Sequence, residues 1–195
     1  MNTEIEQALG QLRPIKEQEL ELMLSWRNAP TVRANMYTQH EISLAEHKGW
    51  WAKTSQRVDQ EYLMYEHRGV SMGIVAFSGI DALHRNSSWA FYASPDAPRG
   101  TGTNMEWLAL DHAFGDLGLH KLYCEVLAFN QPVIKLHRKF GFVIEGIRRQ
   151  HYRSDAGFVD ICQLGLLADE WRMHSMDFLE KIIQFSNRKS NQDES

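Results

Sequence analysis

Apolar residues at Leu20, Met23 and Leu24 recur at helical spacing and predict a helix over Lys16–Trp26, preceded by a short strand near Leu9–Pro14. A second helix is expected from Ser43 toward Lys53. There Ser43-Leu44-Ala45-Glu46 has the spacing of a capping box, in which each side chain satisfies an orphan backbone N–H. The period then shortens. Glu61–His67, Gly73–Ile80 and Ser88–Ala93 read as strands, the first two joined as a hairpin through Arg68-Gly69-Val70-Ser71. Helical spacing returns from about Thr103 to Phe114 and ends at Gly115 and Gly118. After a strand at Lys121–Val126, Asn130-Gln131-Pro132 opens a helix ending before Gly141, because Asn caps and Pro costs nothing in a first turn. Strands around Val143–Tyr152 and Phe158–Leu166 flank the turn cluster Ser154-Asp155-Ala156-Gly157. Asp169 is placed to cap a last helix through Phe178 and Ile182, and Ser186–Ser195 has the polar composition of a frayed tail. This order predicts the α/β class: a mixed sheet covered by helices, with no internal repeat.

A chain of 195 residues suits one domain, expected over 1–186 with a polar tail at 187–195. The formal charge of −4, without a basic block before the tail, gives no footprint for nucleic acid or an anionic membrane, and no apolar run is long enough to span a bilayer. Cys124 and Cys162 fall in apolar strand-like runs, where a buried thiol is the default, and the first residues lack a signal-sequence pattern; both point to the cytoplasm. The nine histidines show no ligand spacing, so no metal is expected. The adjacent Trp50 and Trp51 cannot face the same way on a helix, and a core role is expected for the first and an interface role for the second.

The run Ala97-Pro98-Arg99-Gly100-Thr101-Gly102-Thr103 joins the strand Trp89–Ala93 to the next helix. Glycines at 100 and 102 let the backbone turn sharply and approach a ligand closely, so that successive N–H groups at a helix N-terminus can cradle a pyrophosphate. Downstream come Asn130, Val133, Leu136-His137, Gly141-Phe142 and Glu145-Gly146. These two segments, in this order, resemble the GCN5-related N-acetyltransferase superfamily. The resemblance implies a central twisted mixed sheet of about seven strands with helices on both faces. It also implies acetyl-CoA as donor, held by Phe91, Tyr92, Ala93, Arg99, Gly100, Thr101, Gly102, Thr103 and Asn130. One departure is Ala97, where the family commonly carries Gln or Arg; the backbone cradle does not depend on that side chain.

Trp26-Arg27-Asn28-Ala29-Pro30, Met36-Tyr37-Thr38, Ile42-Ser43-Leu44 and His47 are similar to the subgroup that acetylates amino-sugar nucleotides for pseudaminic acid biosynthesis and flagellin glycosylation. That implies a UDP-linked 4-amino-deoxy sugar as acceptor. Arg27 would meet its phosphates, His47 and Ser78 would add hydrogen bonds, and Met36 and Tyr37 would wall its 6-deoxy methyl group. A homodimer is compatible with the resemblance.

Amide formation from a thioester needs a neutral amine, donors for the developing oxyanion and a proton for the leaving thiolate. A backbone N–H from residues 91–93 would serve the oxyanion, such donors being worth about 3 kcal/mol each. The family's usual acid is a Tyr seven residues after the Asn; His137 stands there instead. An imidazolium of pKa about 6.5 protonates a thiolate of about 8.5 favourably. Glu125, mid-strand, is the candidate base, with His47 as helper. Two other readings stay open: transfer to a protein N-terminus, as in ribosomal-protein acetyltransferases, and a non-catalytic acyl-CoA sensor, which Ala97 and His137 would suit.

Overall fold

The computed structural model describes the backbone of residues 3–193 and the side chains of residues 4–184. It begins with helix α1 (Thr3–Leu9), strand β1 (Gln11–Pro14) and helices α2 (Leu20–Asn28), α3 (Pro30–Arg33) and α4 (Leu44–Thr54). Strands β2 (Gln60–His67), β3 (Val70–Asp81) and β4 (Asn86–Ala93) lead to helix α5 (Thr101–Phe114) and strand β5 (Lys121–Leu127). Helix α6 (Gln131–Lys139), strands β6 (Val143–Ser154) and β7 (Gly157–Leu167) and helix α7 (Ala168–Asp193) complete it.

Several boundaries differ from the sequence expectation, each for a local reason. Leu9 closes α1 instead of opening β1, since Gly10 at φ +87 turns the chain between them. The helix expected from Lys16 starts as a 3-10 turn, Glu17–Glu19. It ends at Asn28 because Ala29, before Pro30, is held extended at ψ 133. Ser43 does cap α4, accepting from the Glu46 N–H at 3.2 Å, but the Glu46 carboxylate turns to His40, so the box is not reciprocal. At α7 the capping carboxylate is Glu170, which accepts from the Leu167 N–H at 2.9 Å, while Asp169 pairs with Arg172. The segment from Ser186, expected to fray, continues α7 as far as Asp193; it contains neither Gly nor Pro to stop a helix already begun. Glu194 and Ser195 lie outside the described residues.

The seven strands run in the order β1-β2-β3-β4-β5-β7-β6. Neighbours are antiparallel except β4 and β5, which are parallel. The β2–β3 hairpin closes through Arg68 and Gly69, both at positive φ (51 and 75), the conformation a two-residue hairpin turn requires. Alternation along the strands defines two faces. Leu63, Tyr65, Val75, Phe77, Trp89, Leu122, Cys124 and Leu164 enter the main core against α5, α6 and α7. Met64 and Ile74 point the other way and pack with Met23 and Trp26 of α2, beside Trp50, Tyr62 and Tyr92. Trp51 lies beside this second cluster, its ring edge-on to Tyr62 at 6.3 Å, where Trp50 also meets Tyr62 at 5.1 Å. Both cysteines are buried and free. Among the described residues no helix is long and apolar enough to cross a membrane, and no group of three or more metal-ligating side chains occurs.

Strands β4 and β5 pair only at Asn86 with Lys121, Ser87 with Leu122 and Ser88 with Tyr123. Beyond that point each keeps its outer neighbour, β3 or β7, and the two part. The sheet therefore opens in its middle.

Candidate active site

The opening between β4 and β5 is lined by polar backbone on one side and by a carboxylate on the other. Ser94 donates its N–H to the Met72 carbonyl of β3 at 2.7 Å. Strand alternation then turns the N–H groups of Phe91 and Ala93 away from β3 and into the gap. Of the 91–93 stretch, these two N–H groups are the ones placed as the expected oxyanion role requires; the Tyr92 N–H points to β3 and its side chain to the α2 face.

At the end of β4 the chain enters the glycine loop. Gly100 is the N-cap of α5 at φ +105, a left-handed conformation that a side chain would strain. The N–H groups of Thr101, Thr103 and Asn104 are taken by the Pro98 and Gly100 carbonyls. Within the cradle expected from residues 99–103, Thr101 and Thr103 are thus engaged, and the N–H groups of Gly100 and Gly102 have no acceptor among the described residues. Two free N–H groups at the positive end of a fourteen-residue helix fit a pyrophosphate. Asn130 is the N-cap of α6, but its side chain makes no capping hydrogen bond. Leu136 of α6 and Phe91 are the side chains nearest Gly102, so both helices border one space.

Glu125 lies two residues past the last β4–β5 rung, on the face opposite the main core. The Tyr37 hydroxyl donates to its Oε2 at 3.0 Å, and Arg148 Nη1 pairs with its Oε1 at 2.9 Å. Tyr152 donates to the Tyr37 carbonyl at 3.1 Å and its ring meets that of Tyr37 at 5.4 Å. Gln163 lies between, its amide oxygen accepting from Arg148 Nη2 at 3.0 Å. Burial and the Glu125 carboxylate push the Tyr37 phenol above its ordinary range, so it serves as a donor. The carboxylate is thereby oriented from both oxygens. Sequence reasoning did not find Arg148, Tyr152 or Gln163.

A second polar group lies under α2 and α4. Arg27 donates from Nη2 to the Thr38 carbonyl at 3.3 Å, while its Nη1 is buried without a partner among the described residues. Nε2 of His47 and the Tyr92 hydroxyl are likewise buried and unpartnered. Arg27 is electrostatically coupled to both. Burial lowers the Arg27 and His47 pKa values from their ordinary ones and raises that of Tyr92. His47 stacks on Trp50 at 5.3 Å beside Arg27, and among the described residues no hydrogen bond joins it to Glu125, whose helper it was expected to be. Ser78, in register with Ser88 at the closed end of the gap, sits beside Tyr62 of the same face. The segment carrying the half-buried Met36 and the exposed Tyr37 bridges the two groups, because Arg27 holds Thr38 and Tyr37 holds Glu125. Its far end is pinned by Asn28, whose amide exchanges two hydrogen bonds with the Ile42 backbone.

His137 is set inside the main core, its Nδ1 2.8 Å from Glu106 Oε1 of α5. Burial raises the Glu106 pKa, against the attraction of His137.

Residues 11–143 match the acetyltransferase (GNAT) domain family. The spermidine N(1)-acetyltransferase of Escherichia coli K12 is 27% identical over 136 residues, covering 69% of this chain and 73% of that one. The acetyltransferase PseH of Campylobacter jejuni (strain 81-176) is 26% identical over 148 residues, covering 76% and 87%. The crystal structure of spermidine N-acetyltransferase from Vibrio cholerae with CoA and spermine superposes with a TM-score of 0.78 at 21% identity, covering 83% of this chain and 96% of that one. The seven-stranded mixed sheet accords with this superposition, and the chain belongs to the GNAT acetyltransferase family, enzymes that transfer the acetyl group of acetyl-CoA.

Proposed function

We propose that this N-acetyltransferase acts on the 4-amino group of a UDP-linked amino-deoxy sugar, of the kind used in pseudaminic acid and flagellin glycosylation pathways. The observation that carries the reading is Arg27: a buried guanidinium with an unpartnered Nη1, beside the unpartnered His47 Nε2 and Tyr92 hydroxyl. A buried cation with spare donors favours an anionic group such as a diphosphate, and it opposes a polyamine, whose charges it would repel. PseH among the relatives supports this choice and the spermidine enzymes are the alternative to be tested.

Acetyl-CoA supplies an activated thioester. Gly100 and Gly102 bind its pyrophosphate by backbone N–H groups, and Asn130 borders the same space. The Phe91 and Ala93 N–H groups stabilise charge developing on the carbonyl oxygen. Glu125, oriented by Tyr37 and Arg148, takes the proton of the attacking amine, directly or through water. His137 delivers a proton to the sulfur. Met36 and Tyr37 flank the sugar, and Arg27, His47 and Ser78 face the nucleotide.

Thiol release from acetyl-CoA, measured with a UDP-4-amino sugar, spermidine and N-terminal peptides in parallel, tests the reading. The expected order of kcat/KM places the sugar nucleotide first by at least about tenfold, a 1.4 kcal/mol preference. Preference for spermidine or a peptide would overturn the acceptor assignment and leave the acetyltransferase intact.

A further inference from the structure

The core between α5 and α6 holds two ionisable groups where apolar packing would serve. Glu106 is fully buried and His137 nearly so. Taking such groups out of water is costly, and a well-packed apolar pair is often at least as stable. Stability alone therefore does not account for the pair, but its place suggests a reason. Glu106 lies one turn along α5 from Gly102, and His137 adjoins Leu136, which with Phe91 lies nearest Gly102. The Phe91 ring stands edge-on to His137 at 6.0 Å, and Trp89 and Phe142 enclose it at 5.2 Å each. The imidazole is thus one side chain removed from the cradle and from the N–H groups of the gap.

The two ring nitrogens differ. Nδ1 is held by Glu106 Oε1, and this is the one hydrogen bond of that carboxyl among the described residues, since Oε2 is unpartnered. Nε2 makes no hydrogen bond among the described residues.

We infer that Glu106 is a positioning residue for acetyl transfer, holding His137 by Nδ1 so that Nε2 is the nitrogen presented to the leaving thiolate. The inference rests on the reading of His137 as the acid. As the C–N bond forms and the C–S bond breaks, the sulfur takes the proton from Nε2–H and the surplus amine proton leaves by Glu125. The ring is then neutral, with Nδ1–H still donated to Glu106.

Long-range 1H–15N spectra of histidine-labelled protein, assigned with His137→Phe, test this without turnover. Nδ1 is expected to stay protonated through the titration while Nε2 loses its proton; a neutral ring protonated on Nε2 overturns the inference. In kinetics, Glu106→Gln keeps the shape and removes the charge. It is expected to lower kcat at least about tenfold and to move the alkaline limb of the kcat profile to lower pH by about one unit, with KM for acetyl-CoA within about twofold. If His137→Phe abolishes that limb while Glu106→Gln leaves it in place, Glu106 has only a packing role and the acid reading stands. If His137→Phe keeps the wild-type rate and profile, the acid reading falls and this inference with it.

Discussion

His47 and His137 are buried to nearly the same degree, 4% and 3% exposed, in opposite circumstances. His137 has a carboxylate on one nitrogen and lies behind the cradle; His47 stacks on Trp50 near the buried guanidinium of Arg27, its Nε2 unpartnered. The first group joins an imidazole to a buried carboxyl by a hydrogen bond, although Glu106 Oε2 has no partner among the described residues. The other gathers three buried polar atoms, on Arg27, His47 and Tyr92, that have no partner among the described residues. On the proposed function, the first group serves the donor side and the second the acceptor side.

The hardest break in that contrast comes where the two sides meet. Glu125→Gln keeps the hydrogen bond from Tyr37 but removes the basic carboxylate, and kcat is expected to fall by about 10²–10⁴ with acetyl-CoA affinity unchanged, as read by steady-state rates and calorimetry. On the acceptor side, Arg27→Met should raise KM for the sugar nucleotide about 10–100-fold and leave KM for acetyl-CoA alone. Because it removes a buried, incompletely paired cation, it should not lower Tm; a large fall in Tm would mean that Arg27 holds the fold instead of a ligand. The smallest effect is in stability against pH. Burial lowers the His47 pKa, so its contribution is complete above about pH 6.5 and is lost as the pH falls, while the unfolded ring takes up a proton. His112 runs the other way. Burial lowers its pKa, yet hydrogen bonds to Glu61 and Asp116 outweigh that and raise it, so its contribution is complete below about pH 6.5 and is lost on passing upward through the folded value. Denaturation between pH 5.5 and about 8 should therefore show opposite slope changes for His47→Phe and His112→Asn.

The sequence displays the parts that obey local rules. Gly100 and Gly102 before an apolar-periodic helix, and Asn130-Gln131-Pro132 opening another, are visible because turn and cap chemistry is read within a few residues. Arg27, Tyr37 and Glu125 came from resemblance, and spacing alone would not have joined them. Arg148 and Tyr152 were not legible at all, because β6 changes register twice against β7 and these irregularities decide how its residues meet their neighbours. Glu106 was hidden for a different reason. In a helix read by its apolar positions, a lone Glu passes for a solvated residue until a partner on another helix is seen.

The short β4–β5 seam also bears on how the chain assembles. Strands β1 to β4 form a meander whose contacts are mostly local beyond β1, whereas β5, β7 and β6 form a second antiparallel block. What joins the blocks is one parallel pairing that must wait for the whole of α5 to cross over. Cohesion between the halves therefore resides chiefly in side chains, Trp89 and Leu122 packed in the core shared with α5, and hardly in backbone ladders. Amide exchange across Asn86–Ser88 and Lys121–Tyr123 would report on the cooperativity of the domain: whether the blocks open together or the molecule comes apart first along its middle.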